Sequence, residues 1–269
     1  MESNIAKELN GKFNPIVLLK TNEKPENAIG PKSNGRGCIM PFIAQVIANR
    51  KTAIFSKDKC SCFGAITGFG FGNGFKSEGA GLDNYAAFLS LGKEVAKNQE
   101  GYDQFCSNKP SHVREMFEKG ERIFSTYENA YNFVSKRDIY DNEEKYVVFK
   151  PIEDLKEDEI PSSIIFTVNP LELSALIHLD GSRREDVSYT MTPQASACQA
   201  IGNHIFSQSE SDNPHATLGL LDLAGRRAMR RWIPDEYLNY SLPWELFLEL
   251  ENLSKTSLFQ STVWKEFKK

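Results

Sequence analysis

The chain has 269 residues, of which 40% are hydrophobic and 25% charged, and its 32 basic and 36 acidic residues leave a formal net charge of −4. This composition is ordinary for a globular protein with a sizeable core. It argues against nucleic acid as a partner, because phosphate binding normally needs a strong basic excess on one face. No apolar run approaches the roughly 20 residues of a membrane span. The first residues also lack the layout of a secretory signal, so we expect a cytoplasmic protein with no membrane contact.

Hydrophobic spacing predicts strands and helices in alternation along the chain. In order, the predicted elements are a helix near 2–10, a strand over 15–20, a loop over 21–37, a helix opening at Cys38, a strand over 52–55, helices over 82–93 and 127–137, strands over 145–150 and 162–168, a helix over 169–181, a strand over 187–191, a helix over 196–206, a strand over 216–223 and an amphipathic helix from Pro243. The polar segment 97–111 predicts an exposed excursion from the fold.

The helix over 169–181 has the clearest boundaries. Asn169 is a good N-cap, Pro170 suits the first helical position and Glu172 completes the spacing of a capping box. Gly181 is a stop signal. These residues predict a helix that begins and ends within this range.

The alternation predicts an α+β or mixed α/β fold, with a central mixed sheet and helices packed on it. A weak internal repeat is present, because a strand, a cysteine, a helix and a strand follow one another around Cys38 and again around Cys198. The second copy carries the helix over 169–181 as an insertion. We expect a single domain over 1–269, and halves of about 1–110 and 111–269 are the alternative.

Five cysteines occur, an odd number, so a disulfide framework is not expected. Three of them lie where helices are predicted to begin. Cys38 precedes Pro41, Cys62 follows a possible cap at Ser61, and Cys198 takes the second helical position if Ser196 is the cap. Unpaired N–H groups and the helix dipole at such positions favour the thiolate form.

Two chemical interpretations follow from these thiols, and ordinary buried cysteines are the third. Cys38, Cys62 and Cys198, with Cys60 from the CxC pair, could bind an iron–sulfur cluster or a soft metal, and Gly64 and Gly68 would let the backbone approach the cluster closely. Alternatively, one thiol is a nucleophile or a redox group that needs a nearby base. The late histidines that could serve are His178, His204 and His215.

The stretch GFGFGNGF over 68–75 contains neither a dinucleotide fingerprint nor a phosphate-binding loop. It predicts a glycine-rich bend covered by core aromatic rings. Arg226 and Arg227 could bind an anionic ligand, because guanidinium forks suit carboxylate and phosphate groups. The alternative is a solvated helix face that pairs with nearby acidic residues.

These features together resemble the uncharacterised archaeal conserved-region family (ArCR, domain of unknown function one hundred and sixty-nine). The likeness runs over roughly residues 8–250. It rests on PIVLLK, the Cys38 helix, TAIFSKDKCSCFGAITGFGFG, SIIFTVNPLELSALIHLDG, SACQAIG and a Gly/Arg stretch before an Ile-Pro. The family pattern falls on Cys38, Cys62 and Cys198, whereas Cys60 and Cys106 look like additions. The resemblance implies a set of positions and no activity.

We therefore predict a cysteine-bound iron–sulfur or soft-metal site with redox or small-molecule chemistry. The alternative is a protein that binds or senses a small molecule and has structural cysteines without metal. The ligand is expected to be small and anionic in either case. The sequence leaves open whether the protein is an enzyme and whether it forms a homo-oligomer.

Overall fold

The computed structural model describes residues 1–32, 37–76, 81–185, 187 and 189–268. Residues 33–36 of the predicted loop and Ser188 of the predicted strand over 187–191 lie outside this part. Within it, one sheet is formed by seven strands: β1 Ile16–Thr21, β2 Ala53–Ser56, β3 Tyr146–Pro151, β4 Ser163–Val168, β5 Thr190–Met191, β6 Ala216–Gly219 and β7 Leu238–Pro243. Their spatial order is β2-β3-β1-β4-β7-β6-β5, antiparallel except for the parallel pair β5–β6.

Helices pack around this sheet, so the prediction of an α+β fold with a mixed sheet is confirmed. The helices of the described residues are α1 Asn4–Leu9, α2 Met40–Asn49, α3 Phe63–Gly68, α4 Gly81–Leu89, α5 Gln99–Ser107, α6 Ser111–Lys119, α7 Tyr127–Ser135, α8 Pro170–Gly181, α9 Ala197–Ala200, α10 Asn203–Ser209, α11 Leu223–Met229, α12 Trp244–Leu253 and α13 Thr262–Phe267. None of the helices in these ranges is both long enough and apolar enough to cross a bilayer.

The sheet order repeats the same arrangement on either side of the β1–β4 pair. On one side β3 lies between β1 and β2, and on the other side β7 lies between β4 and β6. Because β3 and β7 are antiparallel to both of their neighbours, β1 runs parallel to β2 and β4 runs parallel to β6. Helix α2 connects the first parallel pair, and α8, α9 and α10 connect the second. The weak sequence repeat therefore corresponds to two related strand arrangements, with Cys38 and Cys198 before or in their connecting helices.

Each face of the sheet buries its own apolar cluster, because successive residues of a strand point to opposite faces. Ile16 and Leu18 of β1 pack with residues of α2, α3, α9 and α11. Val17 and Leu19 pack on the other face with residues of α1, α8 and α12. Cys62 and Cys198 belong to the cluster on the side of α2, α3 and α9, and Cys38 lies two residues before α2.

Helices α4 to α7 lie between β2 and β3 in the chain and, with the loops that join them, form a helical layer that has a third apolar cluster. The segment 97–111, predicted to be an exposed excursion, contains α5. Tyr102, Phe105 and Cys106 of this helix are buried. Their spacing of three and four residues is the helical pattern, but the polar residues between them hide it in the sequence.

The helix-boundary signals are confirmed for α8, where Asn169 and Glu172 form a complete capping box and Pro170 is the first residue. The helix predicted over 196–206 is instead divided into α9 and α10 at Gly202. A Cβ on Gly202 would lie 2.1 Å from the carbonyl oxygen of Gly68. Glycine is required there because the two backbones are in contact.

Candidate functional site

Cys62 lies at the beginning of helix α3, as the N-cap residue in extended conformation. Its carbonyl oxygen accepts hydrogen bonds from Ala65 at 3.0 Å and Ile66 at 2.9 Å. Its thiol group also accepts hydrogen bonds from the backbone N–H groups of Gly64 and Ala65. The helix thus begins one residue later than the Ser61 cap predicted, and the sulfur of Cys62 faces the unpaired N–H groups of the first turn.

Cys198 is the second residue of α9, as the sequence predicted, with Ser196 in the N-cap position. The Ser196 side chain does not cap the helix. Its Oγ lies 3.4 Å from the Sγ of Cys198 instead. The hydroxyl group is therefore a direct neighbour of the thiol and stabilises its charged form.

Gly64 and Gly68 bring Cys62 and Cys198 together by allowing α3 and α9 to touch. A Cβ on Gly64 would lie 3.5 Å from the Cys198 sulfur, and a Cβ on Gly68 would lie 2.9 Å from the Cys198 carbonyl oxygen. The sequence assigned these two glycines to a cofactor. The structure places them against the chain around Cys198.

The glycine-rich stretch after α3 is a tight return of the chain. Phe69, Phe71 and Phe75 are buried in it. A Cβ on Gly74 would lie 2.3 Å from the carbonyl oxygen of Phe63, so the bend closes on the first residue of α3. The aromatic rings thus cover a turn that fixes the helix carrying the Cys62 cap.

Cys38 lies two residues before α2, and the backbone N–H of Met40 donates a hydrogen bond to its thiol. Burial is the main cause that raises the pKa of this thiol to about 12, and Cys62 and then Asp222 and Glu121 add to it. The residue as a whole has exposed surface. The neutral thiol is the stable form of Cys38 near pH 7.

The three thiols influence one another electrostatically. Cys62 raises the pKa of Cys38, and both Cys62 and Cys38 raise the pKa of Cys198. Such effects require short separations in a poorly solvated interior. Three cysteines from distant parts of the chain, each at the beginning of a helix, are therefore grouped in one region of the protein.

The expected thiolate form is not stable in the protein alone. Burial raises the pKa of Cys62 and Cys198, and this effect exceeds the opposing hydrogen bonds to Cys62 from Ala65 and Gly64 and to Cys198 from Ser196. Backbone N–H groups at the start of α3 lower the pKa of Cys62 and the Ser196 hydroxyl lowers that of Cys198, but desolvation of the charged sulfur is the larger effect. The grouped thiols are protonated near neutral pH unless a bound cation removes their protons.

The other two cysteines differ in position. Cys60 is buried beside the group. Burial, and to a smaller extent the neighbouring Cys62, raises the pKa of Cys60 to about 12. Cys106 belongs to α5, and its pKa of about 11 depends on burial and on charges of the helical layer, Glu118 and Asp103 first. Cys60 thus adjoins the group, whereas Cys106 lies apart from it.

Asp222 joins helix α9, which carries Cys198, to helix α11. It is the N-cap of α11, where its Oδ1 accepts from Ala224 at 2.8 Å, and its Oδ2 accepts from the N–H of Ala197 in α9 at 3.1 Å. Leu220, two residues earlier, has φ of 61°. A leucine in the left-handed region is strained, and such strain concentrates at functional sites.

Glu121 approaches the site from the helical layer. The backbone contact between Gly92 and Gly120, both with positive φ, fixes the chain just before it. Burial and then Asp222 raise the pKa of Glu121 to about 7, and Arg227 opposes this. Of the two predicted arginines, Arg227 thus lies near the site. Arg226 instead donates to the carbonyl oxygen of Asp235, which follows the C-terminal end of α11 in the chain.

Arg137 and His204 form a pair beside Cys198. The Nη2 of Arg137 lies 2.7 Å from the Nε2 of His204, and its Nη1 donates to the Gln194 carbonyl oxygen at 3.1 Å. Burial, followed by the charge of Arg137, lowers the pKa of His204 to about 4. Because a guanidinium can only donate, the Nε2 of His204 is the acceptor and the ring is neutral. This histidine is therefore occupied with Arg137 and is not the base of a cysteine nucleophile.

A family model described as Uncharacterised ArCR matches residues 4–252. The chain belongs to this family. No curated protein and no solved structure matches it. The resemblance stated from the sequence is confirmed, and it covers the β-sheet, the grouped cysteines and the polar residues around them.

In this ArCR protein the cysteines are not arranged around a single point. Within the ranges that the structure describes, no group of three or more His, Cys, Asp or Glu side chains is placed to hold one metal ion. The grouping of Cys38, Cys62 and Cys198 is therefore wider than the ligand shell of a single ion, in which all sulfurs lie about 2.3 Å from one centre.

Several residues near the ArCR site were not predicted from the sequence. Asp222 directly precedes an apolar helix, and its N-cap signal was recognisable. Burial raises the pKa of Tyr85, and Cys62 and then Glu121 add to this rise, so Tyr85 lies near the site. Nothing in the sequence around Tyr85 indicates this position. The same is true of Arg137. Such residues reach the site because the helical layer packs against it, which is a tertiary property.

Proposed function

We propose that Cys38, Cys62 and Cys198 bind an iron–sulfur cluster, at which the protein performs redox or Lewis-acid chemistry on a small molecule. The observation that carries this proposal is the contact of α3 with α9, where a Cβ on Gly64 would lie 3.5 Å from the Cys198 sulfur, so that the Cys62 helix start meets Cys198. Cys38 is coupled electrostatically to both of these thiols. Grouped thiols that raise one another's pKa are unfavourable as thiolates without a cation. A cluster supplies that cation.

The surroundings of the sulfurs fit such a cluster. Backbone N–H groups of Met40, Gly64 and Ala65 point at the sulfurs of Cys38 and Cys62. Hydrogen bonds from the backbone to the cysteine sulfurs are among the factors that set the reduction potentials of iron–sulfur clusters. The donors are therefore of the kind that a thiolate-bound cluster uses.

An iron–sulfur cluster can be held by thiols that do not surround a single ion. In a four-iron cluster each cysteine binds a different iron, so its sulfurs stand further apart than around one zinc ion. The described residues offer no single-ion site of three or more ligands, while the three thiols remain grouped. Three cysteines leave one iron for Cys60, water or a substrate, and the cluster would supply electron transfer or Lewis acidity there.

The proposal also includes a reducing compartment such as the cytoplasm. All five cysteines are free thiols. Because the thiols must lose their protons to bind metal, loading should release protons and weaken at low pH. Raised pKa values at Cys60, Cys62 and Cys198 extend that dependence to higher pH than for exposed cysteines.

The test is anaerobic purification with analysis of iron and acid-labile sulfide per chain, before and after reconstitution. Separate Cys38→Ser, Cys62→Ser and Cys198→Ser variants should each lose most of the iron, and Cys106→Ser should retain it. Cys60→Ser distinguishes a fourth ligand from a bystander. A colourless, iron-free protein after reconstitution would remove the proposal.

A second candidate is a small-molecule binding protein whose thiols are structural. The observation in its favour is that burial raises the pKa of every one of the five thiols. Native alkylation of metal-free protein separates the candidates. Thiols that stay inert until the chain unfolds favour the binding protein, and reaction that iron and sulfide suppress favours the cluster. One hyperreactive thiol without metal dependence would instead indicate a cysteine nucleophile.

A further inference from the structure

Arg137 is a half-buried cation with no carboxylate beside it. In the described part of the chain its guanidinium makes no ion pair, and its Nε is buried without a hydrogen-bond partner. Burial lowers its pKa. Leaving a guanidinium in such a place is unfavourable unless an anion compensates it.

Other buried cations of this protein are paired. Arg184, with a side chain 3% exposed, lies 2.9 Å from the carboxylate of Asp180, and Lys150, 8% exposed, pairs with Glu159. Each of these two cations is balanced by a carboxylate of the fold. At Arg137 it supplies a neutral imidazole and a carbonyl oxygen.

The partners of Arg137 hold it in place and leave its charge uncompensated. His204 and the Gln194 carbonyl each accept one hydrogen bond, and the Phe133 ring lies 4.7 Å from the guanidinium carbon. These contacts fix the plane of the guanidinium, while the buried Nε–H has no hydrogen-bond partner in the described part of the chain. A fixed fork with a free N–H is the geometry that recognises a carboxylate.

The groups that Arg137 faces belong to the thiol site. Its charge interacts with Tyr85 first and then with Cys198. The contacts that the described residues make with the guanidinium are the neutral ring nitrogen of His204 and the carbonyl oxygen of Gln194, and the Nε has none. None of these contacts supplies a negative charge.

We propose that Arg137 binds the carboxylate of a small-molecule substrate beside Cys198, with the Tyr85 hydroxyl as a second donor. This inference rests on the proposed function, because it names the substrate class of the same site. Arg137 would anchor the carboxylate, and the rest of the substrate would extend towards the position that the three cysteines leave open. His204 is a positioning residue, since it acts through Arg137.

The test uses trifluoroacetate as the probe, titrated into the full-length metal-free protein at constant ionic strength and followed by ¹⁹F NMR. We expect saturable binding that acetate displaces. Arg137→Gln should weaken it at least about 10-fold, because a charge-assisted fork is lost. Arg230→Gln, which removes an exposed arginine paired with Asp235, should leave it unchanged.

Two further variants keep the test decisive if Arg137→Gln does not fold. Arg137→Lys keeps the charge and loses the fork, and Tyr85→Phe loses only a hydroxyl, so each should weaken binding by about 3-fold or more. Absence of saturable binding to the wild type, or equal binding by the Arg137 variants, would overturn the inference.

The outcomes also distinguish this inference from the proposed function. A protein that loads iron and sulfide but binds no carboxylate keeps the cluster, and Arg137 then only balances its charge. A protein that binds trifluoroacetate through Arg137 but never loads iron keeps the carboxylate site and loses the cluster. The two measurements use separate samples and do not depend on each other.

Discussion

Gly68 and Cys198 are in backbone contact, so that a Cβ added to Gly68 would stand 2.9 Å from the Cys198 carbonyl oxygen. The same added carbon would lie 3.1 Å from the backbone nitrogen of Gln199. Backbone atoms cannot move aside as a flexible side chain can. The grouping of Cys62 with Cys198 therefore depends on a glycine at the end of α3 as much as on the cysteines.

Gly68→Ala should destabilise the protein by roughly 1–3 kcal/mol, because the methyl group forces α3 and α9 apart. Gly64→Ala is the matched control in the same helix. Its nearest neighbour would be the Ser196 hydroxyl at 3.2 Å, which can rotate away, and alanine improves helix propensity. Urea unfolding measures both. Equal stability of the two variants would show that the backbone contact does not constrain the fold.

The substitution Glu121→Gln should stabilise the folded protein, relative to wild type, increasingly as the pH rises. Folding raises the pKa of Glu121 from 4.5 to about 7, so the folded state holds this proton after the unfolded state has lost it. Stability from this group is complete below about pH 4.5 and is lost as the pH rises to about 7. Glutamine keeps the neutral form at every pH. The unfolding free energy of the variant relative to wild type should increase by about 1–2 kcal/mol between pH 4.5 and 8, after allowance for solvent screening of a half-buried group.

The control for that experiment is Glu157→Gln, which changes an exposed glutamate in a turn outside the site. Its effect on the unfolding free energy should be similar at both pH values. If Glu121→Gln also gave a constant difference, Glu121 would be solvated, and its proximity to Asp222 would be wrong.

The sequence predicted the elements whose signals are local. The capping box of Asn169 and Glu172 and the position of Cys198 in its helix follow from a few neighbouring residues, and the structure has both. The protonation of the thiols could not be predicted in this way. Helix-start position indicates which N–H groups face a sulfur, whereas desolvation depends on everything packed around it. Glu121 and Arg137 were missed for the same reason.

Asp180→Ala should cost roughly 3–5 kcal/mol, because it leaves Arg184 buried without its carboxylate. Asp180 is fully buried, accepts from the Nε of Arg184 at 2.9 Å and lies near Arg183 and Tyr240. Asp235→Ala, which breaks an exposed pair with Arg230, should cost no more than about 1 kcal/mol. Similar losses in the two variants would contradict the buried pair.

Asp222→Asn tests whether one carboxylate both joins two helices and raises the pKa of Glu121. The amide can still cap α11 through one oxygen, but it cannot also accept from Ala197, so stability should fall by about 1 kcal/mol. Loss of the negative charge should also lower the pKa of Glu121, since Asp222 is the second cause of its rise. The gain from Glu121→Gln at pH 8 should therefore be smaller in the Asp222→Asn background. A double-mutant cycle measures that coupling, and additive effects of the two substitutions would show that Glu121 and Asp222 do not share a site.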